Sequence, residues 1–168
     1  EAFRRFSDAN GRPMPKDPLA RRAWNQPNLP IHGISAAQAK AYCAWAGGRL
    51  PTESEWEFAA RGGVAGKIYP WGEHVTHYNA NFRGAGGLDT EKESAMPVGA
   101  FPPSGFQLRD MIGNAAEYVI EGSNPSNSAT VIRGGSFYDV KENLRISFRF
   151  LDFKPTDVLE LTGVRCRL

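Results

Sequence analysis

Gly48-Arg49-Leu50-Pro51-Thr52-Glu53-Ser54-Glu55-Trp56-Glu57-Phe58-Ala59-Ala60-Arg61-Gly62-Gly63 is the stretch on which the reading of this chain turns, because nearly every position in it has a structural job. Thr52 followed three residues later by Glu55 is a capping box: the hydroxyl accepts the N–H of Glu55, and the carboxylate accepts the N–H of Thr52. Pro51 blocks extension upstream. Trp56, Ala59 and Ala60 recur at i, i+3 and i+4 as one apolar stripe, and Gly62-Gly63 supply the left-handed conformation that ends helices. Working outward, Ser35 and Gln38 repeat the capping box. The helix they open places Ala39, Tyr42, Cys43 and Ala46 on one face and stops at Gly47-Gly48.

The 168 residues suit a single domain, 1–168, with room for a buried core. A net charge of +2 and scattered arginines give no basic field of the kind nucleic acid needs. No apolar run reaches the length of a membrane span, and no signal peptide is visible. Glu1-Ala2-Phe3-Arg4-Arg5-Phe6 begins without an initiator methionine and reads like the end of a helix, as though the start had been trimmed. Eighteen glycines and 12 prolines favour a loop-dominated α+β domain over a helical bundle. Five prolines between Ser7 and Pro30 deny any regular element there, and Trp24 is the expected anchor of that segment. Short strands are expected at Ile31–Ile34, Val131–Phe137, Leu144–Phe150 and Gly163–Arg167, with an edge strand at Pro97–Pro103.

Six motifs then fall in order: Arg49–Glu53 running through to Ala60–Gly63, Tyr69-Pro70-Trp71-Gly72, Ala80-Asn81, Asp110–Asn114, Arg133-Gly134-Gly135-Ser136 and Gly163–Cys166. Their order and spacing resemble those of the formylglycine-generating enzyme, or sulfatase-modifying factor, family. The resemblance implies an α+β, C-type lectin-like fold: a small twisted antiparallel sheet, two flanking helices and long irregular loops, here lacking the family's first strand. Oxidase activity in that family rests on two cysteines that hold copper(I), a soft ion suited to thiolates. Asp139 and Ser147 occupy those positions, so no copper and no copper-dependent formylglycine formation are expected.

The resemblance also pairs Cys43 with Cys166 in a disulfide, which would place the chain outside the cytoplasm. From the residues alone, Cys43 is equally a small buried side chain on a helix face. A second disulfide of the family would join the positions of Ala60 and Asp152, and both partners are absent. Within Asp110-Met111-Ile112-Gly113-Asn114-Ala115-Ala116-Glu117, two carboxylates bracket a glycine-containing turn, and hard oxygen ligands suit calcium. The segment resembles the family's calcium loop, with side chains at Asp110 and Glu117 and carbonyls at Gly113 and Ala115. A second family site would use Asn81, the carbonyl of Phe82 and Asp89. The alternative is that Asp110 and Glu117 are solvated or capping carboxylates. His74 and His77 lie in a segment without helical signals and read as surface or packing residues.

With the copper pair gone, the chain reads as a recognition domain that binds a protein or small molecule at its 138–162 loop. The candidate contacts are Tyr138, Asp139, Ser147, Phe148, Phe150 and Asp152, since aromatics among adaptable polar groups are what binding surfaces use. Period-two alternation would turn about half of the apolar residues there, such as Ile146 and Phe148 or Phe150, into the core. The pattern also resembles the variable proteins of diversity-generating retroelements, which carry a Gly-Gly-Ser strand, a Leu-Arg pair like Leu144-Arg145, and a diversified loop. A divergent enzyme modifying a peptide or small molecule, with Ser136, Asp139, Ser147 or Arg149 in the same cleft, and a recognition module of a larger signalling or defence protein are the competing readings.

Overall fold

The computed structural model describes residues 1–16, 26–89 and 93–168. Both capping boxes form. Ser35 and Gln38 close the start of α2 (Ala36–Trp45), and Thr52 and Glu55 close the start of α3 (Glu53–Arg61), which ends on left-handed Gly62. Arg49 grips Glu55 through two 2.7 Å bonds, and this contact holds the carboxyl down at about 2. Glu1–Phe6 belongs to a third helix, α1 (Ala2–Ala9), whose Phe3 and Phe6 pack on Tyr42 of α2. Trp24, the expected anchor, lies outside the described residues.

The sheet has four strands: β1 (His32–Ser35), β2 (Ala116–Ile120), β3 (Thr130–Arg133) and β4 (Val158–Gly163), in the order β1-β4-β2-β3. It is mixed rather than wholly antiparallel, because β2 and β4 run parallel through Ala116↔Thr162 and Glu117↔Gly163. Strand β2 has no counterpart in the sequence expectation, where Glu117 belongs to a loop. Every residue of β2 is buried, so it shows no polar alternation. Tyr118 and Ile120 enter a core with Ile34, Ala39, Cys43 and Leu50, while Val119 enters another with Trp56, Met111, Val131, Leu144 and Ile146.

Two other expected strands are absent, and of the expected Gly163–Arg167 strand only Gly163 belongs to β4, with Arg167 making a lone bridge to Arg49. Pro97–Pro103 runs through turns, with Ala100 N–H bonded to Pro97 O. Of Leu144–Phe150, the first residue closes a 3-10 turn (Lys141–Leu144) and only Phe150 pairs with a strand, as a bridge to Ile132. Strand β3 stops at Arg133 because Gly134 and Gly135 take positive φ, leaving the Ser136–Phe137 continuation outside the sheet. In the other direction, β4 claims 158–162 from the segment expected to be irregular.

Cys43 and Cys166 form a disulfide with Cα atoms 5.4 Å apart, so the helix face of α2 is bonded to the chain's C-terminal segment. A second long-range fastening centres on Glu53. One of its carboxylate oxygens accepts from Arg133 (3.0 Å) and Arg149 (2.7 Å), and the other from Arg149 (2.9 Å) and the Gly122 N–H (2.9 Å). Arg133 is buried, also reaches Glu57 and the Ile146 carbonyl, and lies 5.1 Å from the Trp56 ring centre.

Candidate functional site

A cleft of about 430 Å³ opens beside the Gly-Gly-Ser turn, lined by the 135–150 segment on one side and β4 on the other. Gly135 is required at its base: φ is +67°, and a Cβ there would sit 2.8 Å from Leu144 Cδ1 and 3.1 Å from the Asn143 carbonyl oxygen. The chain then turns at Ser136, whose N–H and hydroxyl both donate to Asp139 Oδ2 at 2.8 and 2.6 Å. Asn143 donates to Asp139 Oδ1 at 2.9 Å. Asp139 therefore closes a turn and holds the following 3-10 segment. Leu144 and Ile146 are fully buried, and the Ile146 N–H binds the Ile68 carbonyl. That anchoring leaves Phe148 and Phe150 beyond it to line the cleft.

The opposite wall comes from an irregularity in β4. Its pairing with β1 jumps from Ile34↔Leu159 to His32↔Gly163, so residues 160–162 face Gly33 alone. Bulges of this kind re-aim side chains. Leu159, Glu160, Leu161 and Thr162 line the cleft, and His32 Nδ1 lies 2.8 Å from the Glu160 carbonyl oxygen.

Of the expected contact residues, Asp139, Phe148 and Phe150 come together there. Tyr138, Ser147 and Asp152 do not line the cleft; all three are exposed, and Tyr138 carries the Arg83 guanidinium 5.3 Å from its ring centre. Phe150 is 43% exposed and stacks on Phe153, whereas Ile146 is the residue that turns fully inward. Asn143 and the β4 residues were not singled out in the sequence. The apolar–polar alternation of Leu159-Glu160-Leu161-Thr162 is the one local signal for the β4 residues.

The acidic loop forms a separate site. Asp110, Gly113 and Asn114 all have positive φ, and a Cβ at Gly113 would lie 2.3 Å from the Asn81 carbonyl oxygen. Asp110 Oδ2 accepts the Gly99 N–H at 2.6 Å, while its Oδ1 is buried without a hydrogen-bond partner. Burial pushes the Asp110 carboxyl above its usual range, against the opposing effect of the Gly99 bond. Glu117 sits in β2 rather than in the loop. Its carboxylate accepts from Trp56 Nε1 at 2.8 Å and pairs with Arg165 at 2.8 Å. Arg165 also donates to the carbonyls of Arg109 and Asp110. Asp110, Ala115, Glu117 and Arg165 line a cleft of about 450 Å³.

Asn81 donates to the Ser94 carbonyl and to Asn114 Oδ1, and its own Oδ1 is buried without a partner. Asp89 Oδ2 lies 2.9 Å from His77 Nδ1, and the His77 ring stacks on Phe82 at 3.9 Å. His77 is thus a packing residue, partly buried. Among the described residues, no three His, Cys, Asp or Glu side chains converge as a metal-binding group. No helix among them is long and apolar enough to cross a membrane.

A small mixed sheet, peripheral helices and long loops that build a cleft at a Gly-Gly-Ser turn define a C-type lectin-like domain of the formylglycine-generating type. Residues 2–167 match the sulfatase-modifying factor enzyme 1-like domain, and the chain belongs to that family. It is 34% identical over 172 residues to the inactive C-alpha-formylglycine-generating enzyme 2 of Mus musculus, covering 89% of this chain and 56% of that protein. It is also 34% identical to the formylglycine-generating enzyme of Streptomyces coelicolor, over 67% of this chain and 43% of the relative. The chain thus spans about half the length of these relatives. In fold it is similar to Treponema denticola variable protein 1, with a TM-score of 0.71 at 18% identity over 95% of this chain and 78% of the other.

Proposed function

We propose that this domain recognises a ligand in the cleft between the 135–150 segment and β4, on a formylglycine-generating scaffold that has left copper chemistry behind. The observation that carries this reading is the cleft itself. Its walls are Phe148, Phe150, Leu159 and Leu161, and it holds no thiol, because both cysteines are joined to each other elsewhere. Apolar walls with a few placed polar groups are the usual make-up of a small-ligand site. The test is a fragment and peptide screen followed by amide chemical shifts. Ligands should perturb Gly135 and residues 159–162, and Phe150→Ala should weaken them by about 2 kcal/mol, a typical hot-spot loss. Shifts confined to other surfaces would put the binding site elsewhere.

The enzyme reading draws on the Streptomyces coelicolor relative. Copper-dependent formylglycine formation in a cysteine-containing peptide by the purified protein would replace our reading with that one. The reading as a module of a larger signalling or defence protein is compatible with recognition in the same cleft. The disulfide supports an extracytoplasmic location, since such bonds persist in oxidising compartments.

Calcium belongs to the same proposal as a structural ion. Hard oxygen donors suit it, and the buried, unpartnered Oδ1 atoms of Asp110 and Asn81 fit such a cation. Asp110, Glu117 and the carbonyls of Gly113 and Ala115 would hold one ion; Asn81, Asp89 and the Phe82 carbonyl would hold another. When bound, the ion supplies positive charge that ties loop carboxylates and carbonyls together. Excess calcium should then raise the melting temperature over that in chelator, by an amount equivalent to about 2.7 kcal/mol at a hundred times Kd. Asp110→Asn should shrink that increment. Glu117→Gln is the less clean probe, since losing the Arg165 ion pair lowers stability in chelator as well. Identical melting of the wild type in both conditions would dispose of the calcium sites.

A further inference from the structure

The recognition cleft has a charge sign. Its lining includes Asp139 and Glu160 and neither lysine nor arginine, although the chain as a whole carries +2. Asp139 Oδ1 accepts one bond, from Asn143, and a carboxylate oxygen has room for another. Two phenylalanines, Phe148 and Phe150, line the same space, and the negative face of an aromatic ring attracts cations. Glu160 lines this wall from within the β4 irregularity, its carbonyl oxygen 2.8 Å from His32 Nδ1.

We infer that the cleft selects small organic cations: an ammonium or guanidinium group carried on an aromatic or alkyl body. The apolar body lies against Phe148, Phe150, Leu159 and Leu161, and the cation lies toward Asp139 and Glu160. A volume of about 430 Å³ suits a small molecule, within the roughly 300–1,000 Å³ of such sites. An anionic ligand of the same shape would be repelled by both carboxylates, so the acidic pair supplies discrimination as well as attraction. This inference rests on the cleft being the recognition site proposed above.

The experiment uses three probes of one shape on the intact chain at pH 7: 3-phenylpropylamine, 3-phenylpropan-1-ol and 3-phenylpropanoate, titrated by amide chemical shifts. The amine should bind about tenfold tighter than the alcohol, and the carboxylate weakest of all. Added salt should narrow the gap between amine and alcohol, because the carboxylates border solvent. Glu160→Gln should lower the amine-to-alcohol ratio toward one. Phe150→Ala should weaken amine and alcohol together.

Equal affinities for amine, alcohol and carboxylate, all mapping to Gly135 and residues 159–162, would overturn the cation inference and leave the recognition cleft standing. Probes that perturb only surfaces outside the cleft would overturn the recognition reading and this inference with it. An acetylated, amidated hexapeptide with one internal lysine that binds tighter than the free amine would overturn the assignment to small molecules. A charge ratio that persists in Glu160→Gln would overturn the role of Glu160.

Discussion

Replacing Cys43 and Cys166 together by alanine lowers the stability of this domain by about 2–5 kcal/mol, the upper part of that range being expected. The bond closes a loop with a sequence separation of 123 residues. In the chain-entropy account, a closed loop of about 100 residues is worth about 4.7 kcal/mol, because the cross-link removes freedom mainly from the unfolded chain. Cys43 is also fully buried on α2, so the substitution sacrifices some packing as well. The measurement is equilibrium urea unfolding of the oxidised wild type, the reduced wild type and the double alanine variant. The last two should fall together, with the folded-state amide spectrum away from both sites preserved. A double variant as stable as the oxidised wild type would mean that the bond contributes nothing net.

Glu53→Gln destabilises the fold by about 3 kcal/mol, the lower end of the cost of breaking a buried ion pair, because it leaves the buried Arg133 with only the more exposed Glu57 as a carboxylate partner. Arg133 is 2% exposed and donates to Glu53 and Glu57, and Arg149 clasps Glu53 with two bonds. Glutamine keeps the shape of the side chain but turns an NH2 group toward donors. The control is Glu121→Gln, which touches the same Arg149 at 3.2 Å where both partners face solvent. That substitution should cost no more than about 1 kcal/mol. Thermal unfolding separates the two by many degrees in a chain of this size, since each kcal/mol moves the midpoint by about 2–4 °C. Equal midpoints for the two variants would show that Glu53 is no more than a surface partner. The same network ties the start of α3 to the segment that carries Phe148 and Phe150, so Glu53→Gln should also loosen the cleft wall, seen as faster amide exchange at Phe150.

What could be read locally came from short-range chemistry. Each capping box spans four residues, and the hydroxyl and carboxamide or carboxylate that close it stand three positions apart whatever the rest of the chain does. The absence of a thiolate pair was equally legible, because Asp139 and Ser147 are simply not cysteines. The ordered motifs were enough for the fold class. They did not reveal β2: its run Ala-Glu-Tyr-Val-Ile carries a charged residue and, buried on both faces, lacks the alternation that marks a half-exposed strand.

Tertiary structure alone decided the rest, because its partners are distant along the chain. Glu53 meets Arg133 and Arg149 across 80 and 96 residues, and Glu117 meets Arg165 across 48. Nothing within one helix turn of those carboxylates announces a guanidinium. The parallel pairing of β2 with β4 and the irregular β1–β4 register around Glu160 belong to the same class. Such contacts must first offset the entropy of closing long loops, so they form only where the whole packing places them. The two cores and the disulfide provide that packing here, which is why the helices were written in the sequence and the walls of the cleft were not.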